Sequence, residues 1–444
     1  MNNCDDFFYD QSDVSDTLHN RLKISKGIKE KALSWKEQLI EFLRPELKSM
    51  FDCDVKFWIQ GSHKSHTLIL PPSREYAFDL DVGVYIFLDA IEEGIDSKDV
   101  KTALKDALSN FCDKHNECKL QDSKNACEGL KLPSFLTIDL PIYSVTSSGM
   151  KLATDNGWVD SDPKEIQGWL TNSFCTDKDR AQLKRIVRYI KGWANLKWRG
   201  VDNKKIPSLA INVLVANNMY SADGEESNFI NTGINICESL SSVLKVENPL
   251  NGQDIVRFSY EDEVFCRKKI DELYKLLKLC LAEESPEQRV LYYSDLFEHY
   301  FPQVNFIADG DIIKNLPAVA KFPAIVVSRF NKHGSHIENF DDHKVKAHKG
   351  DSLTFAISNK EEFPNDSRVF WTVRNRGNQS FDANDIGHRE YLLLGESTQR
   401  GCSYTGPHTI ECKVFYQGYL QGIGVVDVDI TPPKLVRMKK RIFR

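Results

Sequence analysis

A chain of 444 residues is long enough for two or three domains that each bury a core. Its 41% hydrophobic and 27% charged content excludes a disordered chain. The formal charge of -6 excludes a surface coated with basic residues for nucleic acid, so duplex DNA is not an expected partner.

The first residues, MNNCDDFFYDQSD, are acidic and lack the basic start and apolar core of a secretory signal. No apolar run reaches about 18 residues, so no membrane contact is expected and the cytoplasm is the expected location. Eleven scattered cysteines, an odd number, fit reduced thiols better than a disulfide framework.

In SWKEQLIEFLRPELKSM, Leu39, Phe42, Leu43 and Leu47 recur at helical spacing, with Pro45 expected to kink or break the helix. VKFWIQ then reads as a strand running into GSHKSHT, a Gly-Ser turn able to open a helix. The next strand, AFDLDVGVYIFL (77–88), is built for a core yet carries Asp79 and Asp81 in its middle. A helix is expected over about 97–112. FCDKHNECKLQDSKNAC carries Cys112, His115, Cys118 and Cys127, but the first three also fall at i, i+3, i+6, and the spacing lacks the short pairs and long gap of a zinc finger. A helix end is the reading there, and zinc is not expected. Strands flank the turn at Pro133, and the second, FLTIDLPIYSV, contains Asp139.

This alternation predicts an α/β layer core over residues 1–162. From 163 to 305 the pattern is helical: DRAQLKRIVRYIKGWANLKW sets Leu183, Ile186, Val187, Ile190, Trp193 and Leu196 in one stripe. LSSVLKV, IDELYKLLKLCLAE and YYSDLFEHYF read similarly. After a boundary near 305 to 322, short β-rich runs such as SLTFAIS, RVFWTVRNRG and GIGVVDVDI predict an antiparallel β-sandwich over 320–430. Residues 431–444 form a basic tail, with six basic residues and no acid in KLVRMKKRIFR. Such a tail suits a phosphate-rich or acidic partner, or simply solubilises the chain.

Side chains alternate along a strand, so Phe78, Leu80 and Val82 share one face while Asp79, Asp81 and Gly83 share the other. The same alternation puts Asp139 opposite Leu136, Ile138 and Leu140, and a neighbouring strand can bring it to the same spot. Three clustered carboxylates repel one another unless a cation compensates, and Mg²⁺ is the natural one, bound through carboxylates and the oxygens of a nucleoside triphosphate. Two such ions suit a phosphoryl displacement. The alternative is a solvated pair of aspartates on an open sheet face. Upstream, Gln60, Gly61 and Ser62 sit at a turn after a strand, where a glycine lets backbone approach phosphate.

The succession of Gly61-Ser62, Asp79-Leu80-Asp81 and Ile138-Asp139 resembles the polymerase-β-like nucleotidyltransferases. More narrowly, it resembles the cyclic GMP-AMP synthase/DncV-like group of bacterial cyclic-oligonucleotide synthases. LATDNGWVDSDPKEI, RIVRYIKGWAN with KIPSLAINVLV, and VENPLNG extend the likeness over about residues 30 to 305. The resemblance implies an α+β fold: a nucleotidyltransferase α/β core with a helical oligoadenylate-synthase-like lobe, plus a C-terminal antiparallel sandwich. It implies that Asp79, Asp81 and Asp139 are catalytic and bind two Mg²⁺ ions, with Asp139 helping to deprotonate the acceptor hydroxyl. Gln60, Gly61, Ser62, Lys191 and Ser208 would bind the nucleotide. Lys191 lies at the edge of its helix's apolar stripe, either facing the interlobe cleft or solvated on the surface. Ser208 follows Pro207 before an apolar helix and is an N-cap, a phosphate contact, or both. His63 and His66 stand where many relatives have a basic residue and glycine, and exposed loop histidines are expected.

FWTVRNRGNQSF, YLLLGESTQRG and YTGPHTIECKV resemble the adenylyl/guanylyl and SMODS C-terminal sensor domain. Its motifs fall on Trp371, Asn375, Gly377, Tyr404, Gly406 and His408. They imply a regulatory ligand at this domain, with His408 as a contact; the plain reading is Trp371 in the core and both glycines in turns. The chain as given ends at Arg444, without the small terminal residue that some relatives conjugate to a partner, so that mode of control is not expected. The implied activity is Mg²⁺-dependent synthesis of a cyclic di- or trinucleotide from nucleoside triphosphates, ATP among them, signalling to a cyclic-nucleotide-activated effector in antiphage defence (CBASS). The alternatives are a linear-oligonucleotide or RNA-tailing enzyme and a catalytically inactive nucleotide sensor.

Overall fold

The computed structural model describes residues 4–133, 136–174, 176–222, 224–303, 321–341 and 343–433. The chain divides into two compact units, Met1–Pro286 and Glu287–Arg444. The expected boundary segment lies largely in 304–320 and the basic tail in 434–444, both outside the described residues.

The first unit is built on an eight-stranded mixed sheet whose central strand is the acidic one, Phe78–Ile86. Val55–Gln60 runs antiparallel to it, while Leu136–Leu140 and Ile142–Thr146, interrupted at Pro141, run parallel. Proline cannot donate to a ladder, which is why FLTIDLPIYSV becomes two strands. Leu80, Val82 and Val84 are buried, as the alternation requires. Helices Lys26–Phe51 and Ser97–Lys114 pack together through Phe42 and Phe111, whose rings meet edge-on at 5.4 Å. The first runs unbroken through Pro45. The second stops at Lys114, leaving His115 as its C-cap and Cys118 beyond it.

The lobe contributes helices Asp177–Lys197, Ser208–Asn218, Glu225–Ser239 and Tyr260–Ala282. The predicted stripe from Leu183 to Leu196 is buried throughout. Thr176 caps the first helix by accepting from Asp179 N, and Ser259 with Asp262 forms a capping box on the last. LSSVLKV is not helical: Glu225–Ser239 ends before it, and Val243 is exposed. One turn of apolar spacing is too short to sustain a helix without packing.

The second unit holds two sheets, of four and five strands. Val327, Phe355, Trp371, Cys412, Val414 and Val426 meet between them. All pairings are antiparallel except Lys344–His348 with Tyr419–Thr431, which is parallel. Helix Pro286–Phe297 and the turn after it read as part of the helical lobe in sequence, but they pack in this unit. Buried apolar side chains such as Phe297 and Phe301 are joined there by polar ties: the fully buried Arg374 donates to Phe301 O (2.8 Å), Gln303 Oε1 (2.7 Å) and Ser294 Oγ (3.2 Å). Lys413 donates to Asp295 Oδ1 at 2.9 Å. Amphipathic periodicity says that a helix buries a face, not which sheet takes it.

The sensor-domain motif residues are structural here. Trp371 lies in the core, and Gly377 and Gly406 have φ of 90° and 122°, where a side chain is strained. The buried His408 has Asn375 Oδ1 at 3.1 Å from Nδ1 and Tyr404 O at 2.9 Å from Nε2, so both ring nitrogens are engaged within the domain. The expected ligand contact at His408 is not supported by this geometry.

Candidate active site

All eight residues singled out in the sequence, Gln60, Gly61, Ser62, Asp79, Asp81, Asp139, Lys191 and Ser208, line one cavity of about 420 Å³ in the first unit. Strand pairing gathers the acids. Asp81 lies directly opposite Asp139 in the parallel pair and opposite Gln60 in the antiparallel one, and Asp79 lies opposite Thr137. Gly61, with φ +61°, is pressed against this cluster: a Cβ there would stand 1.9 Å from Asp81 Oδ2.

Asp81 is pushed up to about 7, first by burial and then by the charges of Asp139 and Asp79. Each of the other two acids leans on a neighbour, Asp79 accepting from Thr137 Oγ1, and Asp139 from Lys124 Nζ (2.5 Å) and Gln121 Nε2 (3.2 Å). With the side chains so turned, no three His, Cys, Asp or Glu among the described residues enclose one point closely enough to hold a metal ion. The donor set itself fits a hard dication: three oxygen acids share one face of adjacent strands, and their mutual repulsion is the imbalance that a cation relieves.

The phosphate-side residues differ from expectation in detail. The Gln60 amide is engaged by two stacked tyrosines, donating to Tyr143 OH (3.2 Å) and accepting from Tyr85 OH (3.1 Å). Lys191 is buried, not solvated. Its Nζ donates to Ser62 Oγ (2.9 Å), Thr67 Oγ1 (3.1 Å) and Thr67 O (3.2 Å), tying the lobe helix to the Gly-Ser turn. Burial, then the nearby Lys205, lowers its pKa to about 7 against the pull of Asp81. Ser208 is not the N-cap: Pro207 holds that position, which leaves the helix without a side-chain cap bond, and Ser208 is the first helical residue. His63 is half-buried in the short helix Gly61–Lys64, and His66 is exposed.

Sequence reasoning missed Lys205, Thr137, Lys124 and Gln121. Lys205 lines the cavity and hydrogen-bonds Asn195 Oδ1 at 2.5 Å; its signal was its place three residues before Ser208. Thr137 shares the face of Asp139 by alternation and was readable. Lys124 and Gln121 come from an irregular segment with no periodicity to read. The ten described cysteines are free thiols, and no helix among the described residues is long and apolar enough to cross a membrane.

Residues 55–143 match the family described as cyclic GMP-AMP synthase DncV-like, nucleotidyltransferase domain. Residues 317–431 match the adenylyl/guanylyl and SMODS C-terminal sensor domain. The chain is 49% identical over 442 residues, 99% of each chain, to a cyclic GMP-AMP synthase of Escherichia albertii. It is 22% identical over 207 residues, 36% of this chain and 47% of the other, to the cyclic GMP-AMP synthase of Vibrio cholerae. The crystal structure of Escherichia coli DncV bound to 3'-deoxy GTP is similar in fold, with a TM-score of 0.56 at 17% identity over 67% of this chain and 96% of that one. Full-length identity of that extent, on a fold carrying the three aspartates, makes the chain a nucleotidyltransferase enzyme that belongs to the cyclic GMP-AMP synthase/DncV-like family.

Proposed function

We propose that the chain joins two nucleoside triphosphates, ATP among them, into a cyclic dinucleotide with release of pyrophosphate. The observation that carries this is the convergence of all eight residues on one cavity, with Asp81 and Asp139 in register. The name of the 49% identical relative, cyclic GMP-AMP synthase, supports a mixed guanine and adenine product.

In this reading Asp79, Asp81 and Asp139 would together hold two Mg²⁺ ions. Mg²⁺ bound there supplies charge to neutralise the triphosphate and the leaving pyrophosphate. Ser62, Lys191 and Ser208 hold the donor phosphates, aided by the Gln60 and Gly61 backbone. Asp139 takes the proton of the acceptor hydroxyl as its oxygen bonds to the donor's α-phosphorus and the bond to pyrophosphate breaks. A second transfer of the same kind closes the ring. Fixing both partners in one cavity turns a bimolecular step into an intramolecular one. The product would signal to a cyclic-nucleotide-activated effector in antiphage defence (CBASS), with a regulatory ligand at the C-terminal domain, a role supported by the sensor-domain match. The free thiols suit the reducing cytoplasm.

Purified chain with Mg²⁺ and paired nucleoside triphosphates is expected to give a phosphatase-resistant product with the mass of a cyclic dinucleotide. Asp79→Ala and Asp139→Ala are each expected to abolish it. A phosphatase-sensitive product would point to a linear oligonucleotide, and binding without turnover to a nucleotide sensor.

A further inference from the structure

Asp139 is already partnered by a cation from the chain itself. Lys124 Nζ sits 2.5 Å from its Oδ2 while Gln121 holds Oδ1, both from the segment 121–127 between strands Lys119–Leu120 and Glu128–Leu132. That segment is braced on several sides. Gln121 N donates to Gly129 O (2.9 Å), and Lys124 N to Cys127 O (3.1 Å). The buried Lys101 donates to Lys124 O (2.6 Å) and Asn125 O (3.2 Å), and Asp155 N donates to Asn125 O (3.0 Å). Ser123 Oγ donates to Glu128 Oε2 at 2.7 Å. The backbone is therefore fixed where it aims Lys124 at the acid. The Lys124 side chain is 48% exposed and that of Asp139 13%, so the ammonium has open solvent to swing into while the carboxylate stays sheltered.

We propose that Lys124 is a built-in counter-cation of the catalytic centre: it neutralises Asp139 until a divalent ion displaces it, and so sets how tightly the nucleotide-free site takes that ion. Lys124 is a positioning residue acting through Asp139, and the proposal rests on the reading of the three aspartates as metal ligands. An ammonium and a dication compete for the same lone pairs, so removing the ammonium raises metal affinity. If the salt bridge merely braced the segment, its loss would instead lower stability and leave affinity unchanged or weaker.

The test is Mn²⁺ binding to the full chain without nucleotide, followed by the electron paramagnetic resonance of free Mn²⁺, for the wild type, K124M and K124R. K124M is expected to bind about two- to fivefold more tightly than the wild type, the worth of a half-exposed ion pair. K124R, which keeps the charge, is expected to bind as the wild type does. Equal or weaker binding by K124M overturns the proposal alone. If no form binds Mn²⁺, or D79A and D81A bind as the wild type does, the metal-ligand reading falls and the proposal falls with it.

Discussion

Gly61 lies against the Asp81 carboxylate, and each makes a demand on the other. Alanine at position 61 would meet Asp81 Oδ2 at 1.9 Å and hold a left-handed φ of +61°, a conformation costing about 1–2 kcal/mol. Gly61→Ala is expected to lower kcat/KM for nucleotide transfer by at least about tenfold, because a displacement of this size at reacting groups is costly; steady-state kinetics beside a melting curve check this. Titration is a second consequence. Asp81 sits near 7 in the folded chain against its ordinary 3.8, so between those values the folded chain keeps a proton that the unfolded chain has lost. Its contribution to stability therefore declines as pH rises from about 4 to 7. Lys191, lowered to about 7 from 10.5, acts above that window with the opposite slope: there the unfolded chain holds the extra proton, and stability recovers as pH rises. Melting of the metal-free chain across pH is expected to show the fall, and Asp81→Asn to flatten it.

Among elements, the joint between helix Pro286–Phe297 and the five-stranded sheet is the most exacting. Burial alone would raise the Glu411 carboxyl, yet Arg374 and Lys413 hold it down to about 2. Arg374→Met would leave Glu411 buried without its guanidinium and the Phe301 carbonyl without its donor. Breaking a buried pair from one side costs about 3–5 kcal/mol, so the denaturation midpoint of the second unit is expected to fall accordingly. The sequence pattern revealed this helix but not its partner, since nothing in YYSDLFEHYF says that an arginine some 80 residues on will donate to it. Ser208 teaches the same lesson at smaller scale: a serine before an apolar run reads as a cap, but Pro207 takes that position.

For the whole molecule, the division at Pro286 has a practical consequence. Every residue lining the candidate site's cavity precedes it. A chain ending at Pro286 is expected to bind nucleoside triphosphates and to associate less than one ending at Gln303, which keeps Leu291, Phe297 and Phe301 but loses the sheets of their unit. Such an uncovered apolar surface promotes association, and size-exclusion chromatography of the two chains decides it.

The sequence by itself picked out the acids and the glycine that line the candidate cavity, because carboxylates in the middle of an apolar strand break a period-two pattern and a Gly-Ser turn after a strand is local chemistry. It determined the alternating core, the buried stripe of the lobe and the β-rich C-terminal region for the same reason: periodicity is a property of neighbours in the chain. Only the tertiary structure decided that Asp81 and Asp139 stand in register, that Lys191 is buried on Ser62 and Thr67, and that Lys124 and Gln121 reach Asp139. Those depend on strand pairing and on an irregular segment braced from a distant helix, and neither leaves a periodic mark in the residues that take part.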